Sequence, residues 1–140
     1  MTTKQKAIKL YKKVNTFIIS CVGDEGFPLT KAVVPPKYRD SLKEIYFCTN
    51  TTSRFVSEIK TNPKSSVYFY KRGLFIWEGC YMTGTMELVI DKSIKEKYWQ
   101  NKYKGAYSEK GIDCPDYCVL RFFPKKGRYY SWYNLEDFEI

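Results

Sequence analysis

The chain has 140 residues, enough for one ordinary domain with a single core. Hydrophobic residues make up 44% and aromatics 18%, which argues against disorder, and no apolar run approaches a membrane span. The net charge of +9 favours anionic ligands, while the absence of histidine removes Ser-His-Asp and Cys-His catalysis and the commonest neutral-pH general base.

Residues 2–14 predict an amphipathic helix with Ala7, Leu10, Tyr11 and Val14 on one face. The start carries a basic flank but no apolar stretch before a small-residue cleavage site, so a cytoplasmic location is expected. Thr16–Val22 and Pro28–Val34 read as a β-hairpin around the turn Gly23-Asp24-Glu25-Gly26, ended by Pro35-Pro36. After a polar loop, Glu44–Thr49 is a third strand. Thr51, Thr52 and Ser53 are N-cap candidates for a helix carrying Phe55, Val56 and Ile59, stopped by Asn62-Pro63.

Ser65–Tyr70 is the next strand. Leu74–Ile90 reads as one long bent strand or two strands joined at a bulge, because Gly79 and Gly84 lie inside it. Ser93-Ile-Lys-Glu96 has the spacing of a capping box and predicts a helix running to about Lys104. Two strands, Asp116–Phe123 and Gly127–Tyr133, are expected last, with a turn over Pro124–Gly127. Residues 1–140 thus form one antiparallel α+β domain, mainly β, a closed or nearly closed barrel with short flanking helices. Neither a glycine-rich strand-to-helix turn nor P-loop spacing occurs.

The five cysteines are odd in number and include no Cys-x-x-Cys pair. Free thiols are expected, and no metal site, since Cys114 and Cys118 are the only close pair and histidine is lacking.

The segment from Ile45 to Arg54 carries the clearest chemistry. A strand ends in Thr49, a hydroxyl-rich turn follows, and Arg54 opens a helix. Unpaired amides, the positive end of the helix dipole, three hydroxyls and a guanidinium make an anion cradle. The same residues also fit ordinary N-capping with Arg54 in solvent, and local physics leaves both readings open.

This order of elements resembles the pyridoxamine-phosphate-oxidase-like split barrels, particularly their short general-stress-protein-like members. The resemblance rests on the first hairpin, Tyr46–Arg54, Thr61-Asn-Pro-Lys64, Val67-Tyr-Phe-Tyr70 and Thr83–Asp91, and spans roughly residues 5–133. It implies a six-stranded split β-barrel working as a homodimer, with FMN at the interface. The family's phosphate-gripping element maps onto Phe47, Thr49, Ser53 and Arg54. A basic residue of the second strand corresponds to Lys31, and backbone groups of Thr30 to Ala32 and of Cys48 would line the edge of the flavin ring. A cation there would favour the anionic reduced flavin. Trp132, in Arg128-Tyr-Tyr-Ser-Trp-Tyr133, is a candidate to stack on the partner subunit's flavin.

The resemblance implies an FMN-dependent oxidoreductase passing electrons between a donor and an unknown small substrate. Pyridoxamine phosphate oxidase proper holds substrate with an arginine and a histidine near its C-terminus, and nitroimidazole-resistance and haem-handling relatives also rely on histidine, which this chain lacks. Two alternatives stay open: a basic, tyrosine-rich barrel for single-stranded nucleic acid, and the same fold holding deazaflavin or haem.

Overall fold

The computed structural model describes residues 1–103, 107 and 111–140. Seven strands and three helices occur among them: α1 (Thr3–Lys13), β1 (Phe17–Val22), β2 (Pro28–Val33), β3 (Ile45–Asn50), α2 (Arg54–Thr61), β4 (Lys64–Arg72), β5 (Trp77–Val89), α3 (Lys92–Tyr98), β6 (Tyr117–Ser131) and β7 (Asn134–Glu139). All pairings are antiparallel, in the order β2-β1-β4-β5-β6-β3, with β7 added to β6. The six-strand path is the expected split barrel. Its two ends, β2 and β3, lie beside each other without a ladder between them. That unpaired flank is the seam of the barrel.

Alternation builds the core. Phe17, Ile19 and Cys21 of β1, Ile45 and Phe47 of β3, and Val67 and Phe69 of β4 point inward and are buried. Helix α1 adds Ala7, Leu10 and Tyr11 to the same cluster. Its start is fixed by reciprocal bonds between Thr2 and Gln5. A second cluster forms where α3 and the following segment cover β3 and β6, with Tyr98, Tyr103, Tyr107, Tyr117 and Val119 buried together.

The C-terminal half departs from the sequence reading. Residues 116–133 do not form two strands around a turn at Pro124. They form one strand, β6, running straight through Pro124, and the true turn is at Trp132-Tyr133. The register shifts here: Thr83 pairs with Lys126 but Gly84 pairs with Pro124, so Lys125 is the extra residue of a bulge. A bulge accommodates proline because its missing N–H leaves no ladder position empty. Gly84 is needed opposite it, since a Cβ there would collide with the Phe123 carbonyl oxygen and with Pro124 Cα.

Strand β7 was not expected. Its sequence, Asn-Leu-Glu-Asp-Phe-Glu, is held by β6 pairing and by Phe138, which packs over Gly127. Helix α3 is capped by Asp91, whose carboxylate accepts from the amides of Ser93 and Ile94, rather than by Ser93. It ends at Tyr98, well before the expected end near Lys104, itself outside the described residues. Strand β5 starts at Trp77, leaving Leu74–Ile76 in the loop before it.

Candidate functional site

The seam is bridged by one side chain. Lys31 sits on β2 with alternating neighbours: Thr30 and Ala32 face outward and are exposed, while Lys31 turns toward β3. Its ammonium donates to Thr49 Oγ1 at 2.7 Å and to Ser53 Oγ at 3.2 Å. It also lies 5.8 Å from the centre of the Phe55 ring. Lys31 takes part in none of the ion pairs among the described residues. Burial pulls its pKa below the ordinary lysine range. Both hydroxyl oxygens accept from Lys31, so their own protons are free to donate to an anion.

Two elements fix this geometry. Phe47, fully buried in the core, anchors β3 two residues before Thr49. Thr49 is itself almost fully buried, and its carbonyl accepts from Cys118 Sγ. Ser53 is the N-cap of α2, its hydroxyl oxygen accepting from the Phe55 amide at 3.2 Å. Between them, Asp116 clamps the turn. Its carboxylate accepts from the Thr52 amide at 3.0 Å, from Thr52 Oγ1 at 2.9 Å and from Thr51 Oγ1 at 3.1 Å. The Thr52 amide bond is the main reason its pKa lies below the usual carboxylate range. The sequence reading missed Asp116 because it lies more than sixty residues downstream of the turn it holds.

Arg54 occupies the first turn of α2, where no acidic residue lies. Its side chain is largely exposed, as ordinary N-capping by Ser53 would leave it. It pairs with Asp24 from the β1–β2 turn and lies 3.8 Å from Glu58 one helical turn on. The guanidinium thus faces the hairpin turn, one residue along the chain from Ser53.

Lys31, Thr49 and Ser53 are therefore in hydrogen-bond contact, whereas the Arg54 side chain engages Asp24 and Glu58 instead of this cluster. Phe47 supports them from the core and cannot touch a ligand. The Cys48 side chain leaves on the opposite face of β3, 3.5 Å from the Tyr98 carbonyl and from the Tyr117 hydroxyl, where burial raises its pKa. Only its backbone can face the seam. Trp132 sits toward the opposite end of β6 from the cluster: Cys118 pairs with Thr49 near its start, and Trp132 follows its last residue, Ser131.

That distant end has its own character. Leu74, Phe75, Ile76 and Trp77 before β5 and Trp132, Tyr133 and Leu135 around the β6–β7 turn are all exposed. The Trp132 amide donates to the Trp77 carbonyl at 2.9 Å, tying the two groups into one patch. Trp132 adopts φ 53°, an unusual conformation for a bulky residue. A surface hollow of about 600 Å³ lies elsewhere again, over β1, β4 and β5, and includes none of Lys31, Thr49 and Ser53.

The family model described as pyridoxamine 5'-phosphate oxidase like matches residues 4–136. The chain belongs to the pyridoxamine 5'-phosphate oxidase-like family. Among solved structures of this kind, a protein related to general stress protein 26 from Clostridium acetobutylicum is 31% identical with a TM-score of 0.85, over 97% of this chain and 93% of that one. General stress protein 26 from Bacillus anthracis is 20% identical with a TM-score of 0.80, each chain covered fully. A haem-binding protein from Mycobacterium smegmatis shares the fold at 12% identity and a TM-score of 0.79, over 99% of this chain and 58% of that one. A search of curated proteins finds none that matches. No helix among the described residues is long and apolar enough to cross a membrane.

Proposed function

We propose that this protein binds FMN, with the phosphate at the seam cluster, and acts as an FMN-dependent oxidoreductase on a small molecule. One observation carries the reading. An ammonium without an acidic partner among the described residues is held against two hydroxyls at the start of a helix whose first residue is Arg54. Charge-assisted donors converging at a helix N-terminus suit a phosphate monoester, and membership of a family of flavin binders makes FMN the natural one. Bound there, FMN would supply the two-electron chemistry that the protein's own side chains lack.

The chain's residues would bind and orient. Lys31, Thr49 and Ser53 would hold the phosphate, with Arg54 at its margin. The exposed outer edge of β2, from Thr30 to Ala32, would offer backbone groups to the ring, as would the backbone at Cys48. An anion beside Lys31 would also relieve the cost of its burial and return its pKa upward.

The reading includes a homodimer. The seven exposed apolar side chains around Leu74–Trp77 and Trp132–Leu135 leave on the order of 1,000 Å² uncovered, comparable with the ~800 Å² per partner of a standard interface. A second copy could bring its Trp132 to the ring.

The haem alternative keeps the fold, which the mycobacterial haem-binding protein shares, but a histidine ligand is not available here. The visible spectrum of freshly purified protein, followed by titration of the apo form with FMN, tests the proposal. Twin flavin bands, or FMN binding that weakens at least about tenfold in Ser53→Ala with Arg54→Ala, are expected. A colourless protein that ignores FMN would remove the reading.

A further inference from the structure

The arginine at the head of α2 is already engaged by an acid from outside its helix. Asp24 lies in the β1–β2 turn, thirty residues earlier, and its carboxylate meets Arg54 Nη2. The turn holds it there. The Gly23 amide donates to the Phe27 carbonyl at 2.8 Å, and the Phe27 amide donates back to the Asp24 carbonyl at 3.1 Å. Glu25 and Gly26 follow with φ 58° and φ 80°, a successive left-handed pair that closes the turn tightly. Between this turn and Arg54 lies a hollow of about 270 Å³, lined by Asp24, Glu25, Phe27, Leu29 and Arg54.

Helix α2 has no acid in its first turn, although a helix start favours negative charge and a first-turn arginine opposes the dipole. Asp24 supplies the missing charge from across the gap. It therefore stands where a ligand's anionic group would otherwise sit against the same guanidinium. Asp24 and Arg54 side chains are 69% and 62% exposed, so their pairing is weak enough to be exchanged.

We infer that Asp24 is a positioning residue that acts as a built-in competitor for the phosphate. It occupies Arg54 in the free protein and must yield it when a phosphate monoester binds at Lys31, Thr49 and Ser53. This inference rests on the flavin reading and adds to it a control of phosphate affinity. Lys31 and the hydroxyls remain available throughout, while Arg54 becomes available only in exchange for Asp24. The exchange tempers the affinity for a phosphate-bearing flavin and leaves a flavin without a phosphate untouched, because only a phosphate has reason to displace the carboxylate.

The test compares FMN and riboflavin binding to wild type, Asp24→Asn and Asp24→Glu by flavin fluorescence quenching at low ionic strength, with circular dichroism as the folding control. Asp24→Asn is expected to tighten FMN about three- to tenfold and leave riboflavin unchanged, with the gain shrinking in high salt. Asp24→Glu keeps the charge and should restore an FMN affinity near wild type. Unchanged or weakened FMN binding in folded Asp24→Asn would overturn the inference, as would equal tightening of riboflavin, which assigns the effect to the turn's shape. If none of the three proteins binds either flavin, the flavin reading itself fails and the inference falls with it.

Discussion

The two ends of β6 face opposite tasks. At its start, Cys118 pairs with Thr49, and the neighbouring cluster is made of one lysine and two hydroxyls, positioned by Phe47 and Asp116. Past its other end, the chain turns through Trp132 and Tyr133 and exposes large apolar side chains beside Leu74–Trp77. The first end is polar at the seam and held in place by many bonds, with its aromatic side chains packed inward. The second is aromatic, exposed and short of polar anchors. Each has what the other lacks, and the proposed dimer is the arrangement that would let the two ends of different chains meet.

The largest expected effect comes from breaking the link between the ends. Gly84→Val places a side chain against the backbone at Phe123 and Pro124, in the middle of β6 where its register shifts. A loss of more than about 4 kcal/mol is expected, read as a collapsed denaturant midpoint or insoluble protein. A variant retaining wild-type stability would mean that the bulge is not required.

Separating the ends without harming the fold is the next step. Phe75 is 78% exposed and lies outside any strand. Phe75→Glu should leave the melting temperature within a few degrees of wild type. Analytical ultracentrifugation should nonetheless show a shift from dimer to monomer, accompanied by weaker FMN binding. A Phe75→Glu protein that stays dimeric would place the interface elsewhere.

A smaller effect is expected at Asp116, whose carboxylate holds the Thr51–Thr52 turn. Its pKa is depressed in the folded chain, so the stability it contributes is present above the ordinary aspartate range and is lost as pH falls through its folded value. Asp116→Asn should cost about 1 kcal/mol at neutral pH and flatten the acid limb of the stability curve. Chemical denaturation between neutral pH and pH 3 would show both. An unchanged acid limb would assign that pH dependence to other carboxylates.

Much of the seam end was legible in the sequence. Strand, hydroxyl-rich turn and helix are contiguous from Ile45 to Thr61, so local caps and periodicity place Thr49, Ser53 and Arg54 together. Lys31 was placed by the family resemblance; on β2 it is half-buried between the exposed Thr30 and Ala32. Asp24 and Asp116 could not be placed, because each acts on a segment far away in the chain. The aromatic end was misread for a tertiary reason. Pro-Lys-Lys-Gly at 124–127 has turn composition, yet Gly84 on the neighbouring strand turns it into a bulge within a continuous strand. Strand β7, with only Leu135 and Phe138 as apolar side chains, carries little pattern of its own.

The most direct measurement replaces the side chain that spans the seam. Lys31→Ala removes the half-buried ammonium and leaves both hydroxyls in place. Titration with FMN and with riboflavin then reads the phosphate's share of binding. FMN affinity should fall at least about tenfold, toward that of riboflavin, while riboflavin affinity stays unchanged. FMN binding as tight as in wild type, with its preference over riboflavin intact, would contradict the assignment of the seam cluster as the phosphate site.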